Sequence, residues 1–215
     1  MEFISPEILN YCETHTNPES ELLQQLNRDT YAKILNPRML SGHLQGRFLA
    51  MMSQMLRPKN ILEIGTYTGY SALCLCEGLD TDGKLITIDI NDELESFSSH
   101  FFNKSKYEKN IEAHIGDALQ IIPTLDLEFD LVFIDADKPS YSKYFDLVIE
   151  KMKSGGIIIA DNVLWSGHIL KPEAEQDYDT KCLHQFNEKV KNDPRVTVTM
   201  LPVRDGLSLI RKNSF

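Results

Sequence analysis

From residue 60 onward the chain alternates short apolar, β-branched runs with helical patterns, and this alternation limits the fold more than any other feature. The runs lie at 60–64, 84–89, 111–115, 131–135 and 156–160, with helical stretches at about 70–79, 93–104, 118–125 and 141–152 between them. Runs such as LVFI and IIIA are apolar on both faces, as strands of a parallel sheet covered by helices must be. After a last helix near 178–191, two more strands at 196–201 and 207–211 are separated only by Pro202-Val203-Arg204-Asp205-Gly206. That linker is too short for a crossover helix, so the two strands pair antiparallel. The prediction is a doubly wound, Rossmann-like α/β sheet of seven strands, mostly parallel with the last strand antiparallel.

Residues 1–56 carry no strand signal and are read as a helical N-terminal extension, with the Rossmann-like core at 57–215. Ser5-Pro6-Glu7 has the form of a helix cap followed by proline in the first turn, and Pro18-Glu19 opens a second such start. These helices are expected to pack on the sheet or over its ligand edge. With 215 residues, 42% of them hydrophobic and 25% charged, the chain is read as one globular domain, 1–215, outside the regime of disorder.

The 22 basic and 32 acidic residues give a net charge of −10, which disfavours a broad phosphate-tracking surface and nucleic acid as a partner. No apolar run is long enough to span a membrane, and MEFISPEILNYCETH lacks the pattern of an export signal, so a cytoplasmic protein with no membrane partner is expected. Cys12, Cys74, Cys76 and Cys182 show no CxxC spacing and are read as reduced thiols.

Ligands of open α/β sheets bind where the strands end at their carboxyl side. The first such turn is Leu62-Glu63-Ile64-Gly65-Thr66-Tyr67-Thr68-Gly69-Tyr70-Ser71, and Asp89 ends the next strand, where a carboxylate can accept from both hydroxyls of a ribose. Tyr67 and Tyr70 stand where a dinucleotide fingerprint needs small residues, which argues against a pyrophosphate and for a nucleoside. Glu63 points the same way: an acid repels phosphate and attracts a cationic amino group. Gly116-Asp117-Ala118 leaves room for an adenine ring, although taken alone Asp117 is better read as a helix cap.

Two further strand ends are acidic, Ile134-Asp135-Ala136-Asp137-Lys138 and Ala160-Asp161-Asn162. Asp135, Asp161 and the Asn162 amide oxygen are three hard donors without His or Cys, a set suited to Mg²⁺ or Ca²⁺. The alternative is that they are turn-forming acids. An ammonium beside a divalent cation is disfavoured, which makes Lys138 either a proton acceptor or a solvated lysine answering Asp135 and Asp137.

Taken in order, LEIGTYTGYSAL, Asp89, GDAL, FIDADK, IIIADNVLWSG and DGLSL, with Met39-Leu40-Ser41-Gly42 and Gly46 upstream, resemble the cation-dependent class I O-methyltransferases. That family includes the catechol and caffeoyl-CoA enzymes, and the resemblance spans nearly the whole chain. It implies S-adenosylmethionine as methyl donor, with Glu63, Gly65, Thr66 and Ser71 along its methionine side. It implies Asp89 at the ribose, Ala118 at the adenine, and Asp137 and Ser41 completing the pocket. It further implies Asp135, Asp161 and Asn162 as ligands of a divalent cation, Mg²⁺ with Ca²⁺ or Mn²⁺ as alternatives. Asp135 and Lys138 are then catalytic, Lys138 matching the lysine of the catechol branch, and the chain is a homodimer.

The expected reaction is methylation of one hydroxyl of a vicinal diol on a small catechol-like or phenolic acceptor. Ser41, His43, Trp165 and His168 are candidate neighbours of that acceptor. Ser166, where the plant enzymes tend to have asparagine, and the short stretch between Ala118 and Asp135 argue against a CoA thioester. The competing readings are a tRNA hydroxyuridine O-methyltransferase and a nucleoside-binding protein without catalysis. A nicotinamide-dependent oxidoreductase lacks its phosphate turn here.

Overall fold

The structure, a computed structural model, describes residues 4–214. Met1 to Phe3 and Phe215, the ends of the domain read from the sequence, lie outside the described residues. The chain divides into two compact units, Ser5–Asp117 and, with Ile4, the residues from Ala118 onward. Its strands make a seven-stranded sheet, mostly parallel with the last strand antiparallel.

The first unit begins with α1 (Pro6–Thr14), α2 (Glu21–Lys33) and α3 (Gly42–Leu56). Ser5 caps α1 as the sequence predicts, its Oγ accepting from the Ile8 N–H at 3.4 Å with Pro6 in the first turn. The second start falls later than Pro18-Glu19: Ser20 Oγ accepts from the Leu23 N–H at 3.3 Å, so α2 opens at Glu21. A hydroxyl can satisfy a free helical N–H, which proline alone does not do. Leu23, Leu26 and Leu49 are fully buried. The main contacts of α3 are with the helix after the first strand and the short turn beyond it, and α2 also lies on that helix, rather than on the sheet.

In this unit β1 (Asn60–Ile64), β2 (Lys84–Asp89) and β3 (Ile111–Ile115) lie parallel in the order β3-β2-β1, with α4 (Tyr70–Leu75) and α5 (Glu95–Lys104) between them. The register Ile64↔Ile88 and Ile88↔His114 brings the carboxyl ends of the three strands level. The interior strands β1 and β2 are buried almost throughout, while β3 leaves Glu112, Ala113 and Ile115 exposed. Charged side chains on an outer strand oppose pairing with other chains.

In the second unit α6 (Ala118–Ile121) and α7 (Tyr141–Lys151) flank β4 (Phe129–Ile134), and β5 (Met152–Asp161) follows directly. The helix α8 (Tyr178–Asn192), capped by Asp177 through the Thr180 N–H at 2.8 Å, precedes β6 (Val196–Leu201) and β7 (Leu207–Lys212). The order is β4-β5-β7-β6; β4 and β5 are parallel, and β7 runs antiparallel to both β5 and β6. The hairpin read from the five-residue linker is therefore present. β5 starts four residues before the predicted 156, its extension pairing Phe129 with Met152 across an irregularity in the ladder. Phe129, Phe133, Tyr141, Phe145 and Phe186 fill this unit's core, with Phe186 edge-on to Tyr141 at 5.4 Å. Among the described residues no helix is long and apolar enough to cross a membrane.

Candidate active site

In the first unit, the turn from β1 to α4 is the framework for one set of predicted residues. The Gly65 N–H donates to Ile88 O at 2.8 Å, and the Gly69 N–H to Thr66 O at 2.8 Å. Gly69 has φ +87°, and a Cβ there would lie 2.5 Å from Phe102, so both backbone and packing demand glycine. Asp89 is fixed from two sides. Its Oδ2 accepts from the Tyr67 N–H at 2.7 Å and its Oδ1 from the Asn91 N–H at 2.9 Å. A carboxylate locked by two backbone donors still has lone pairs for a diol. The Tyr67 hydroxyl reaches back to Leu35 O and Asn36 O, tying the turn to the segment after α2.

Glu63 is fully buried, and Thr87 connects it to the turn. Thr87 Oγ1 donates to Glu63 Oε2 at 2.5 Å and lies 2.5 Å from Thr66 Oγ1. The predicted residues Glu63 and Thr66 thus share one buried hydrogen-bonded chain. Thr87 belongs to it and was not singled out by the sequence, where it is one more residue of an apolar strand. Ser41 and Ser71 are also buried.

In the second unit Ile134 pairs with Ala160, so Asp135 and Asp161 each follow directly on the last paired position of β4 and β5. Lys138 lies at the centre of this group and is only 8% exposed. Its Nζ donates to Asn162 Oδ1 at 2.7 Å, Tyr141 Oη at 2.8 Å and Asp135 Oδ1 at 3.3 Å. These three bonds use all the N–H groups of an ammonium. The rings of Tyr141 and Trp165 stand 4.8 and 5.6 Å from the same nitrogen, close enough for cation–π attraction.

Tyr141 completes the arrangement. Fully buried, its hydroxyl accepts from Lys138 and donates to Asp161 O at 2.9 Å. Burial, with Asp135 and Asp161 adding their charge, pushes the phenol well above its ordinary pKa, so it remains a donor. Asp161 Oδ1 accepts from the Asn162 N–H at 2.7 Å. Asp137 is exposed, and Tyr144 Oη donates to its Oδ1 at 2.5 Å. Ala118, which opens α6, is buried. Tyr141 and Tyr144 follow Lys138 at three and six residues; a helical reading of α7 places both on its first turns but does not show where their hydroxyls end.

The loop leaving β5 is strained. Asn162, Trp165 and Ser166 have φ of 58°, 46° and 51°, a region that costs a residue with a side chain about 1–3 kcal/mol each. The sequence gives no sign of this, because none of the three is glycine. Among the described residues no three His, Cys, Asp or Glu side chains gather as a metal-binding group. The expected ligand set is instead two carboxylates and an amide oxygen, two of whose members hold the Lys138 ammonium. His43 lies in the first unit, its Nε2 2.8 Å from Asn17 O. All four cysteines are free; Cys74 is buried and its thiol is pushed up to about 12 by loss of solvent.

A mostly parallel sheet with a glycine turn and a strand-end aspartate in one unit, and a lysine ringed by oxygens in the other, places the chain in the Rossmann-like α/β class. A family model described as O-methyltransferase matches residues 13–213, and the chain belongs to that family. A putative caffeoyl-CoA O-methyltransferase of Arabidopsis thaliana is 35% identical over 210 residues, covering 93% of this chain and 90% of its own. A methyltransferase of Podospora anserina, solved with S-adenosylhomocysteine bound, superposes with a TM-score of 0.89 at 29% identity, over 97% of this chain and 94% of its own. An O-methyltransferase of Streptomyces achromogenes in complex with S-adenosylmethionine gives 0.88 at 27% identity, over 97% and 96%. The chain is an S-adenosylmethionine-dependent O-methyltransferase.

Proposed function

We propose that this enzyme transfers the methyl group of S-adenosylmethionine to one hydroxyl of a vicinal diol on a catechol-like acceptor, with a divalent cation at Asp135, Asp161 and Asn162. The observation that carries the reading is the Lys138 ammonium held by Asp135 and Asn162 at the ends of β4 and β5. These donors already receive a cation, and hard oxygens without His or Cys fit Mg²⁺. Such a cation supplies Lewis acidity that makes a bound hydroxyl more acidic.

The chain's own residues do the rest. Asp89, oriented by two backbone N–H groups, takes the ribose hydroxyls. Glu63, Gly65, Thr66 and Ser71 line the methionine side, with Ser41, Ala118 and Asp137 assigned to the same cofactor. Lys138 offsets with its positive charge the negative charge that develops on the attacking oxygen as the hydroxyl proton passes to solvent, and Tyr141 fixes Lys138. The methyl moves in line from sulfur to oxygen: the S–CH₃ bond breaks as the O–CH₃ bond forms, leaving S-adenosylhomocysteine. Holding both reactants in that alignment supplies much of the acceleration.

Caffeoyl-CoA, itself a catechol, is the second acceptor to test, supported by the relatives of that name. The deciding assay offers catechol, caffeoyl-CoA and tRNA with Mg²⁺ and labelled S-adenosylmethionine. Label on a diol oxygen supports the proposal, while label on tRNA alone, or on none of the three, overturns it.

A further inference from the structure

The DGLSL string at 205–209 has no role in the chemistry so far, yet its first two residues hold the loop that carries Asn162 and Trp165. The Asp205 carboxylate accepts from the Ser166 N–H. Asp205 O accepts from the Leu164 N–H at 2.9 Å, and Gly206 O from the Val163 N–H at 3.2 Å. Gly206 has φ +90°, and a Cβ on it would collide with the Leu164 side chain, so the turn approaches as closely as it does only with glycine there. Three successive contacts from the β6–β7 turn thus engage a loop in which Asn162, Trp165 and Ser166 are all left-handed. Such conformations persist only where the surroundings over-determine them. What this loop presents is the amide oxygen 2.7 Å from Lys138 Nζ and the indole 5.6 Å from it.

We propose that Asp205 is a positioning residue of the acceptor side: by holding Ser166 N–H, its carboxylate keeps Asn162 and Trp165 against Lys138. The inference rests on the reading that this edge receives the acceptor. It differs from a general packing role because it depends on one side-chain acceptor and acts on one loop.

The test uses Trp165, the single tryptophan of the chain, as its reporter. In Asp205→Ala, Trp165 anisotropy should fall and acrylamide quenching rise. The kcat/KM for the diol should drop roughly ten- to a hundredfold, as for misplaced reacting groups. Calorimetric affinity for S-adenosylhomocysteine should stay within about twofold, since the proposal gives Asp205 no part in holding the cofactor. Asp205→Asn keeps an oxygen acceptor and should retain wild-type anisotropy and turnover. Hydrogen exchange on the wild-type protein should show Ser166 N–H protected, a measurement that stands even where Asp205→Ala does not fold.

Unchanged anisotropy in Asp205→Ala overturns the proposal, as does a loosened Trp165 with full turnover. Equal impairment of the Asn and Ala variants, or fast exchange at Ser166, does so too. Where the wild-type enzyme methylates no diol, the acceptor reading fails by itself, and anisotropy and exchange still decide whether Asp205 holds the loop.

Discussion

Lys138 and Asn162, 24 residues apart in sequence, are joined by a 2.7 Å hydrogen bond from Nζ to Oδ1. Lys138 belongs to the turn after β4 and Asn162 to the turn after β5, so their meeting depends on the parallel register of those strands. The bond holds the Lys138 charge at the candidate acceptor edge, and the removable parts of that arrangement can be tested separately.

Lys138→Met keeps the aliphatic stem but removes the charge and three N–H donors. It should lower kcat by about 10²–10³-fold, the span of a lost charge-stabilising donor at a developing oxyanion. Calorimetric affinity for S-adenosylhomocysteine should not change, because Lys138 is assigned to the acceptor alone. A variant with wild-type kcat would remove Lys138 from the mechanism.

Chelation by EDTA and, separately, Asp161→Ala should each abolish methylation of catechol while leaving binding of S-adenosylhomocysteine largely intact. Restoring Mg²⁺ should rescue the chelated wild-type enzyme but not the variant. Turnover that survives both treatments would sink the metal assignment.

Thr87→Val is nearly isosteric but removes the hydroxyl between Glu63 and Thr66. Loss of a buried donor to a carboxylate should cost about 1–3 kcal/mol in urea unfolding. Thr87→Ser should recover most of it. If Val and Ser variants unfold at the same urea concentration, the hydroxyl chain is not holding the turn.

Gly69→Ala places a methyl group against Phe102 at φ +87°. Overpacking of this kind costs about 1–3 kcal/mol, with the unfavourable φ adding to it. The melting temperature should fall, and nucleoside affinity with it, because the same turn carries Gly65 and Thr66. A variant as stable as wild type would show that the turn relaxes.

Asp205 tests the pH dependence of stability. Burial raises its carboxyl pKa, outweighing the hydrogen bond from Ser166 and the charges of Lys138 and Arg204. A carboxyl with a raised folded-state pKa favours the folded state below its unfolded value near 3.8 and loses that contribution as pH rises through the folded value. Asp205→Asn, which cannot ionise, should therefore melt higher than wild type at pH 7, with the gap closing toward pH 3. A gap that widens on acidification would contradict this sign.

Much of the site was legible because it lies where local patterns change. Asp89 in the first unit, and Asp135 and Asp161 in the second, each stand at or just past the end of an apolar run, so the run boundaries alone marked them as strand-end acids. Other residues gave no such signal. Thr87 looks like any residue of a buried strand, Tyr141 like any aromatic of an amphipathic helix, and Asp205 like a turn former, until their oxygens are located. The start of α2 was misread for a related reason: Pro18 and Ser20 are both start signals, and only the bond to Leu23 distinguishes them.

By itself, then, the sequence determined the order of strands and helices, the closing hairpin and the acidic strand ends. These follow from periodicity, linker length and residue type over a few neighbours. Only the tertiary structure decided that Lys138 spends its three donors on Asp135, Tyr141 and Asn162, and that Asp205 holds a left-handed loop more than 35 residues earlier in the chain. Hydrogen bonds form between atoms at about 3 Å, and which distant atoms come that close is set by strand register and packing, which no local pattern records.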